Sequence, residues 1–267
     1  MIPRIYPATG KLLLAFAAAA ALCFIAFGAE VPSPSTMSPE ELARRLDGDV
    51  QGSAVIRTQL EVRSFNGAKR VLQLQIKQRR TKAATDLAYR VFWPNDHKDE
   101  VVILHQDTGK APHGSILIPH QPVRTIGASQ MSEGLFESDL SYQDAVENVY
   151  AWKDQAIVGS EVINGVNCQI LQSKPDNSSL STYAKVRSWI DPRRLVPLRI
   201  DKYSSSGELI RRIDVTRVAR DEKHNPIPAS LTVHGPRKDS VTTFNGARID
   251  QDVTLNDDDF KPAGVLR

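Results

Sequence analysis

Ile56, Leu60 and Val62 alternate with Arg57, Gln59, Glu61 and Arg63. That period of two puts one side of a strand into an apolar core and leaves the other in water. Asn66-Gly67 follows, a pair that tolerates the positive φ angles of a tight hairpin turn. On the return, Leu72, Leu74 and Ile76 alternate with Gln73, Gln75 and Lys77, and Leu87, Tyr89, Val91 and Trp93 repeat the pattern up to Pro94. Apolar runs at 101–104 and 116–118 add further strands. A second series lies at 157–163, 166–171, 183–190, 196–203, 209–218, 229–234, 240–245 and 249–255, with another Asn-Gly turn at 164–165.

Two stretches break the period. Ser38 reads as a helix N-cap, with Pro39 in the first helical position and Glu41 closing a capping box. Leu42 and Leu46 then share one face, and Gly48 is expected to end the helix begun at Ser38, which is taken to Asp47. Residues 129–152 interrupt the strands with a loop that leads into a short helix near 143–149. Strands joined by short turns, with no helices interleaved, predict an antiparallel sheet. The expected fold is therefore mainly β (α+β): a broad sheet, a short N-terminal helix and one or two further helical segments. One helix of about three turns covers only part of such a sheet. The sheet must curl over its own apolar face, around either a packed core or an open cleft.

The first residues address the chain. Arg4 and Lys11 precede an apolar, Ala-rich run at 12–27, no acidic residue occurs before Glu30, and small residues follow at Gly28 and Ala29. This is the pattern of a cleaved secretory signal peptide, and the run is shorter than the roughly 20 residues a spanning helix needs. We expect a signal peptide at 1–28, a Pro/Ser-rich linker at 29–37 and one domain at 38–267, exported across an inner membrane to the periplasm. Leu22 before Cys23 does not suit a lipid-attachment site.

Charge and chemistry then remove alternatives. Loss of Arg4 and Lys11 lowers the formal net charge from +3 to +1, too little to draw nucleic acid. Cys168 is left as a lone thiol among Val166, Ile170 and Leu171, which suits a buried structural cysteine. The six histidines show no spacing that by itself assembles a metal site; a hairpin pairing would be needed to bring His105, His113 and His120 together. There is no Gly-x-Ser-x-Gly elbow and no glycine-rich phosphate loop. Asp257-Asp258-Asp259 lacks the alternating ligands of a calcium loop and reads as a solvated turn. No catalytic residue, metal or cofactor is expected.

Ser138-Asp139-Leu140-Ser141-Tyr142-Gln143-Asp144 resembles a segment of bacterial outer-membrane lipoprotein-sorting proteins, the LolA-like family. The order that follows is similar too: Gly159 to Leu171, Pro175, Tyr183 to Asp191, Pro197 to Tyr203, Gly207 to Leu209, and Phe260 near the end. The likeness spans roughly 87–266. It implies a half-barrel, a strongly curved antiparallel sheet whose concave side is covered by helices around an apolar, non-catalytic cavity for acyl chains. Where that family carries Tyr-Leu-Pro and a basic run, this chain has Leu117-Ile118-Pro119-His120-Gln121-Pro122-Val123-Arg124, without the tyrosine and most of the charge.

Two sets of candidate residues follow. Leu42, Leu46, Leu72, Leu74, Ile76, Leu87, Tyr89, Val91 and Trp93 are either plain core or the wall of a lipid cavity, and the resemblance assigns part of them to the wall. Lys77, Arg79, Arg80 and Lys82 form the densest basic run, expected at a hairpin end, where it is either solvated or docks on anionic head groups or an acidic partner. The expected partners are lipid or lipoprotein acyl chains and a membrane donor or acceptor protein, with the chain itself a monomer. The alternative is a filled, non-catalytic envelope module that binds an exporter or a signalling protein.

Overall fold

The computed structural model describes residues 37–267 except Phe65, 177–180, 222–223, Lys238 and Arg267. The expected signal peptide and all of the linker but Met37 lie outside the described residues. Helix α1 (Pro39–Val50) leads into thirteen strands: β1 (Gly52–Ser64), β2 (Lys69–Arg80), β3 (Ala84–Trp93), β4 (Val101–Asp107), β5 (His113–Leu117), β6 (Arg124–Ile126), β7 (Asp154–Ile163), β8 (Val166–Lys174), β9 (Lys185–Asp191), β10 (Val196–Tyr203), β11 (Leu209–Arg220), β12 (Pro226–His234) and β13 (Ser240–Gln251). Helix α2 (Tyr142–Val146) falls between β6 and β7, and α3 (Pro262–Val265) closes the chain.

The sheet order is β6-β5-β4-β3-β2-β1-β13-β12-β11-β10-β9-β8-β7, every pair antiparallel. The first six strands march outward as a meander, and the last seven return from the opposite edge to seal β13 against β1. An open sheet of this width curls rather than lying flat, and the result is a strongly curved half-barrel. The topology also explains the interruption at 129–152. The chain must pass from edge strand β6 to the other edge, β7, so residues 127–153 form a strap across the concave face.

Local chemistry places the turns. Gly67 (φ 82°), Asn164 (φ 50°) and Gly165 (φ 79°) hold the two Asn-Gly hairpins. Ser38 Oγ accepts from the Glu41 backbone at 3.2 Å, but the Glu41 carboxylate binds Arg44 and Arg45 instead of completing a capping box. Gly48 does not end α1, which continues to Val50; the left-handed turn belongs to Gly52 (φ 111°), where the chain swings into β1. The strands expected at 240–245 and 249–255 are one strand, β13, with an extra residue at Gly246 (φ 64°) opposite Arg57–Gln59 of β1. A bulge of that kind bends a strand without ending it.

Candidate functional site

Two covers lie on the apolar face of the sheet and pack differently. The strap sends Met131, Leu135, Phe136, Tyr142, Ala145 and Val146 onto Leu60, Leu72, Leu74, Leu87, Val91 and Leu104 of β1–β4, and the whole cluster is buried. Gly134 permits the tight fold of the strap, because a Cβ there would meet the Ser138 carbonyl oxygen at 2.1 Å. At the other end, Leu42, Ala43 and Leu46 of α1 seat on Leu171 of β8 and Ile190 of β9.

The end of α1, the end of the strap, and strands β1 and β10–β13 bound a cavity of about 790 Å³. Leu46, Ile56, Ile200, Ile213, Ile227 and Ile249 are among the side chains that line it. The five isoleucines are half-buried, unlike the closed core under the strap. Its volume lies in the range of small-molecule sites.

A buried ionic cluster underlies this cavity. Asp144, fully buried at the third position of α2, receives Lys202 Nζ of β10 at 2.7 Å, Arg211 Nη1 of β11, Tyr183 Oη at 2.8 Å and Ser141 Oγ at 2.6 Å. The Lys202 and Arg211 side chains are only 4 % and 5 % exposed. Burial alone would raise the Asp144 carboxyl; the Lys202 and Arg211 charges and the Lys202 and Ser141 hydrogen bonds overcome it and hold the group at about 2. Burial and the neighbouring Asp144 charge push the Tyr183 hydroxyl up. Such a cluster ties strap to sheet, because separating any partner leaves an uncompensated buried charge. Asp139 makes a second tie, accepting from Ser240 Oγ at 2.5 Å and Thr242 Oγ1 at 2.8 Å of β13.

The structure redistributes the residues singled out from the sequence. Leu72, Leu74, Ile76, Leu87, Tyr89 and Val91 do share a face, but the strap fills the space beside them, so they are core and not cavity wall. Burial pushes the Tyr89 hydroxyl up to about 12. Trp93 leaves the core altogether, being 50 % exposed at the end of β3. Leu42 is buried beneath α1, and Leu46 alone of the nine lines the cavity.

The basic run is corrected likewise. Lys77, Arg79 and Arg80 close β2 at its hairpin with β3, as expected, but their side chains are engaged rather than solvated. On the outer face Lys77 Nζ binds Asp259 at 2.8 Å, and Arg79 binds Asp86 and Asp257 at 2.8 Å while stacking over Phe260. They seat the C-terminal segment, whose Val265 packs on Ala88, Val101 and Ile103. The triple aspartate is thus partly engaged rather than simply solvated. Arg80 points to the other face and donates to the carbonyl oxygens of Ala145 (2.6 Å) and Val146 (3.0 Å), the last turn of α2. Only Lys82 is exposed.

Cys168 is buried with Ile163, Trp189, Val196 and Leu198. His105 and His113 do meet, directly opposite each other on β4 and β5 with ring centroids 5.1 Å apart. Both His105 ring nitrogens already face carboxylates, Asp86 at 2.7 Å and Asp107 at 3.2 Å. Among the described residues no group of three or more His, Cys, Asp or Glu side chains is placed to hold a metal.

Sequence reasoning missed the cavity's isoleucines on β10–β13 and the partners of Asp144. Asp144 stood in the quoted segment and Lys202 in the run from Pro197 to Tyr203, but nothing local marks Arg211 as their third member.

A family model described as "Uncharacterized protein" matches residues 94–266, well over half of the chain. No curated protein matches in sequence. Three solved structures are similar in fold. A DUF1329 family protein from Desulfovibrio piger superposes with a TM-score of 0.76 at 19% identity, over 84% of this chain and 98% of that one. An outer membrane lipoprotein-sorting protein domain, so named, from Vibrio parahaemolyticus gives 0.76 at 16% identity, over 86% and 98%. A LolA superfamily protein from Nitrosomonas europaea gives 0.67 at 13% identity, over 85% and 98%.

Proposed function

The chain belongs to the LolA-like family, and on that premise we propose that it is a periplasmic, non-catalytic carrier that shields lipid or lipoprotein acyl chains for sorting to an outer membrane. The observation that carries this reading is the 790 Å³ cavity under the concave face, walled by half-buried isoleucines rather than filled by the strap. The Vibrio protein it resembles is named as an outer membrane lipoprotein-sorting protein domain, and the Nitrosomonas protein as a LolA superfamily protein.

Magnitudes say what such a carrier does. Burying an acyl chain of about 14 methylenes gains on the order of 11 kcal/mol relative to water, and association and ordering take back a good part. Relative to a bilayer the gain nearly vanishes, because lipid is as apolar as the cavity. The carrier therefore carries a chain across water but needs a donor to load it and an acceptor to empty it.

Native mass spectrometry of protein from its own host is expected to reveal a co-purified lipid, and delipidated protein is expected to take up the uncharged dye N-phenylnaphthylamine. Absence of both would leave the filled-module reading in its place.

A further inference from the structure

The start of the strap borders a second cleft, of about 630 Å³, together with β4–β6 and the turn after β12. It shares no lining residue with the 790 Å³ cavity at the end of the strap. Val102, Ile116, Ile118 and Phe136 give it an apolar floor.

Most charges on its rim are engaged. Arg70 binds Glu137 at 2.9 Å, His97 faces Glu100 at 2.8 Å, and Arg211 binds Asp144. Asp139 accepts from Ser240 and Thr242, while Arg237 donates to the Glu137 carbonyl oxygen at 3.0 Å and stands 3.8 Å from Asp139. Two donors that line the cleft are different. The Arg124 guanidinium, exposed on edge strand β6, has no ion pair or hydrogen bond among the described residues. Tyr142 is only 5 % exposed, its ring packed into the core; its hydroxyl has no partner among the described residues, yet is not sealed off from the cleft.

Burial and the Glu133 charge push the Tyr142 hydroxyl up, Arg124 acts against them and Glu137 adds to the rise. The phenol therefore keeps its proton at neutral pH and can donate it to an acceptor. A guanidinium beside it favours an acceptor that is charged, because hydrogen bonds between ionised partners are the stronger ones. Glu133 is the carboxylate left over. It is exposed, and Arg124 with the remaining N–H groups of Arg237 outnumbers it.

We propose that this cleft is a second binding site, for a small amphipathic anion. The apolar body lies on the floor, and the anionic oxygens accept from Tyr142 Oη and the Arg124 guanidinium. The site stands apart from the carrier reading, since its residues take no part in the isoleucine cavity.

The test uses two dyes with one skeleton, uncharged N-phenylnaphthylamine and its sulfonate 8-anilinonaphthalene-1-sulfonate, titrated by fluorescence into the full chain near neutral pH. Arg124→Gln and Tyr142→Phe are each expected to weaken the sulfonate dye about tenfold, the worth of a hydrogen bond to a charged group, and to leave the uncharged dye within twofold. Tyr142→Phe removes only an unpaired hydroxyl, so the ring packing is retained. Ile213→Trp, in the other cavity, is expected to leave the sulfonate dye bound. Sulfonate binding that is absent, indifferent to either Arg124→Gln or Tyr142→Phe, or lost with Ile213→Trp overturns the second site. Binding that depends on both residues upholds it whether or not the uncharged dye is taken up, so a failure of the carrier reading is seen separately.

Discussion

The two halves of the concave face use the same kind of strand and end in opposite states. Under the strap, β2 and β3 offer Leu72, Leu74, Leu87, Tyr89 and Val91, and the strap answers with Met131, Leu135, Phe136 and Val146, so the interior is solid. Along β10–β13, Ile200 packs against Val149 of the strap, whereas Ile213, Ile227 and Ile249 line the cavity outside the buried clusters, and α1 seats on β8 and β9 instead. The difference teaches that an apolar strand face is core or cavity according to what crosses it. The crossing is decided by the route between the two sheet edges.

This contrast can be broken at the tie. Asp144→Ala leaves Lys202 and Arg211 buried with no counter-charge, and the expected loss is about 3–5 kcal/mol, read by urea unfolding. Loss below 1 kcal/mol would show that the strap is held by its apolar contacts alone. Leu72→Ala, in the solid half, is expected to cost about 2–5 kcal/mol while leaving dye affinity within twofold.

Acid tests the same tie without mutation. Asp144 is held at about 2 in the folded chain, below the unfolded value of about 3.9. A depressed carboxyl contributes stability that is fully present above the unfolded value and is lost as pH falls through the folded one. A stability loss on the order of 2 kcal/mol is therefore expected between about pH 4 and pH 2, and Asp144→Asn should flatten that part of the profile. An unchanged slope in the variant would remove Asp144 from the account.

The open half is sharpened by filling it. Ile213→Trp projects bulk into space rather than into packed neighbours, so stability is expected to change by only about 1 kcal/mol. Dye uptake should nevertheless fall at least tenfold, and full uptake would mean that the cavity is not the binding site. Lys82→Glu, an exposed substitution away from both halves, is expected to stay within about 0.5 kcal/mol and to leave uptake unaltered; lost binding to donor membranes would instead return docking to this residue.

Strand faces, the Asn-Gly hairpins, the N-cap at Ser38 and the buried setting of Cys168 were legible, since each depends on neighbours within a few residues. The resemblance carried by Ser138 to Asp144 pointed to the right family. Its physical content is two ties from strap to sheet, through Asp139 and Asp144, to partners as distant as Arg211 and Thr242. The basic run shows the limit of reading charge locally. Lys77 and Arg79 look like a docking patch until the C-terminal segment, nearly two hundred residues on, is seen to occupy them.

By itself the amino-acid sequence determined which residues alternate, where the chain turns, and that a sheet this broad must curl. Tertiary structure alone decided which stretch of that sheet the strap seals and which it leaves open. Periodicity is a property of adjacent residues, whereas closure depends on a segment that must travel from one edge of thirteen strands to the other.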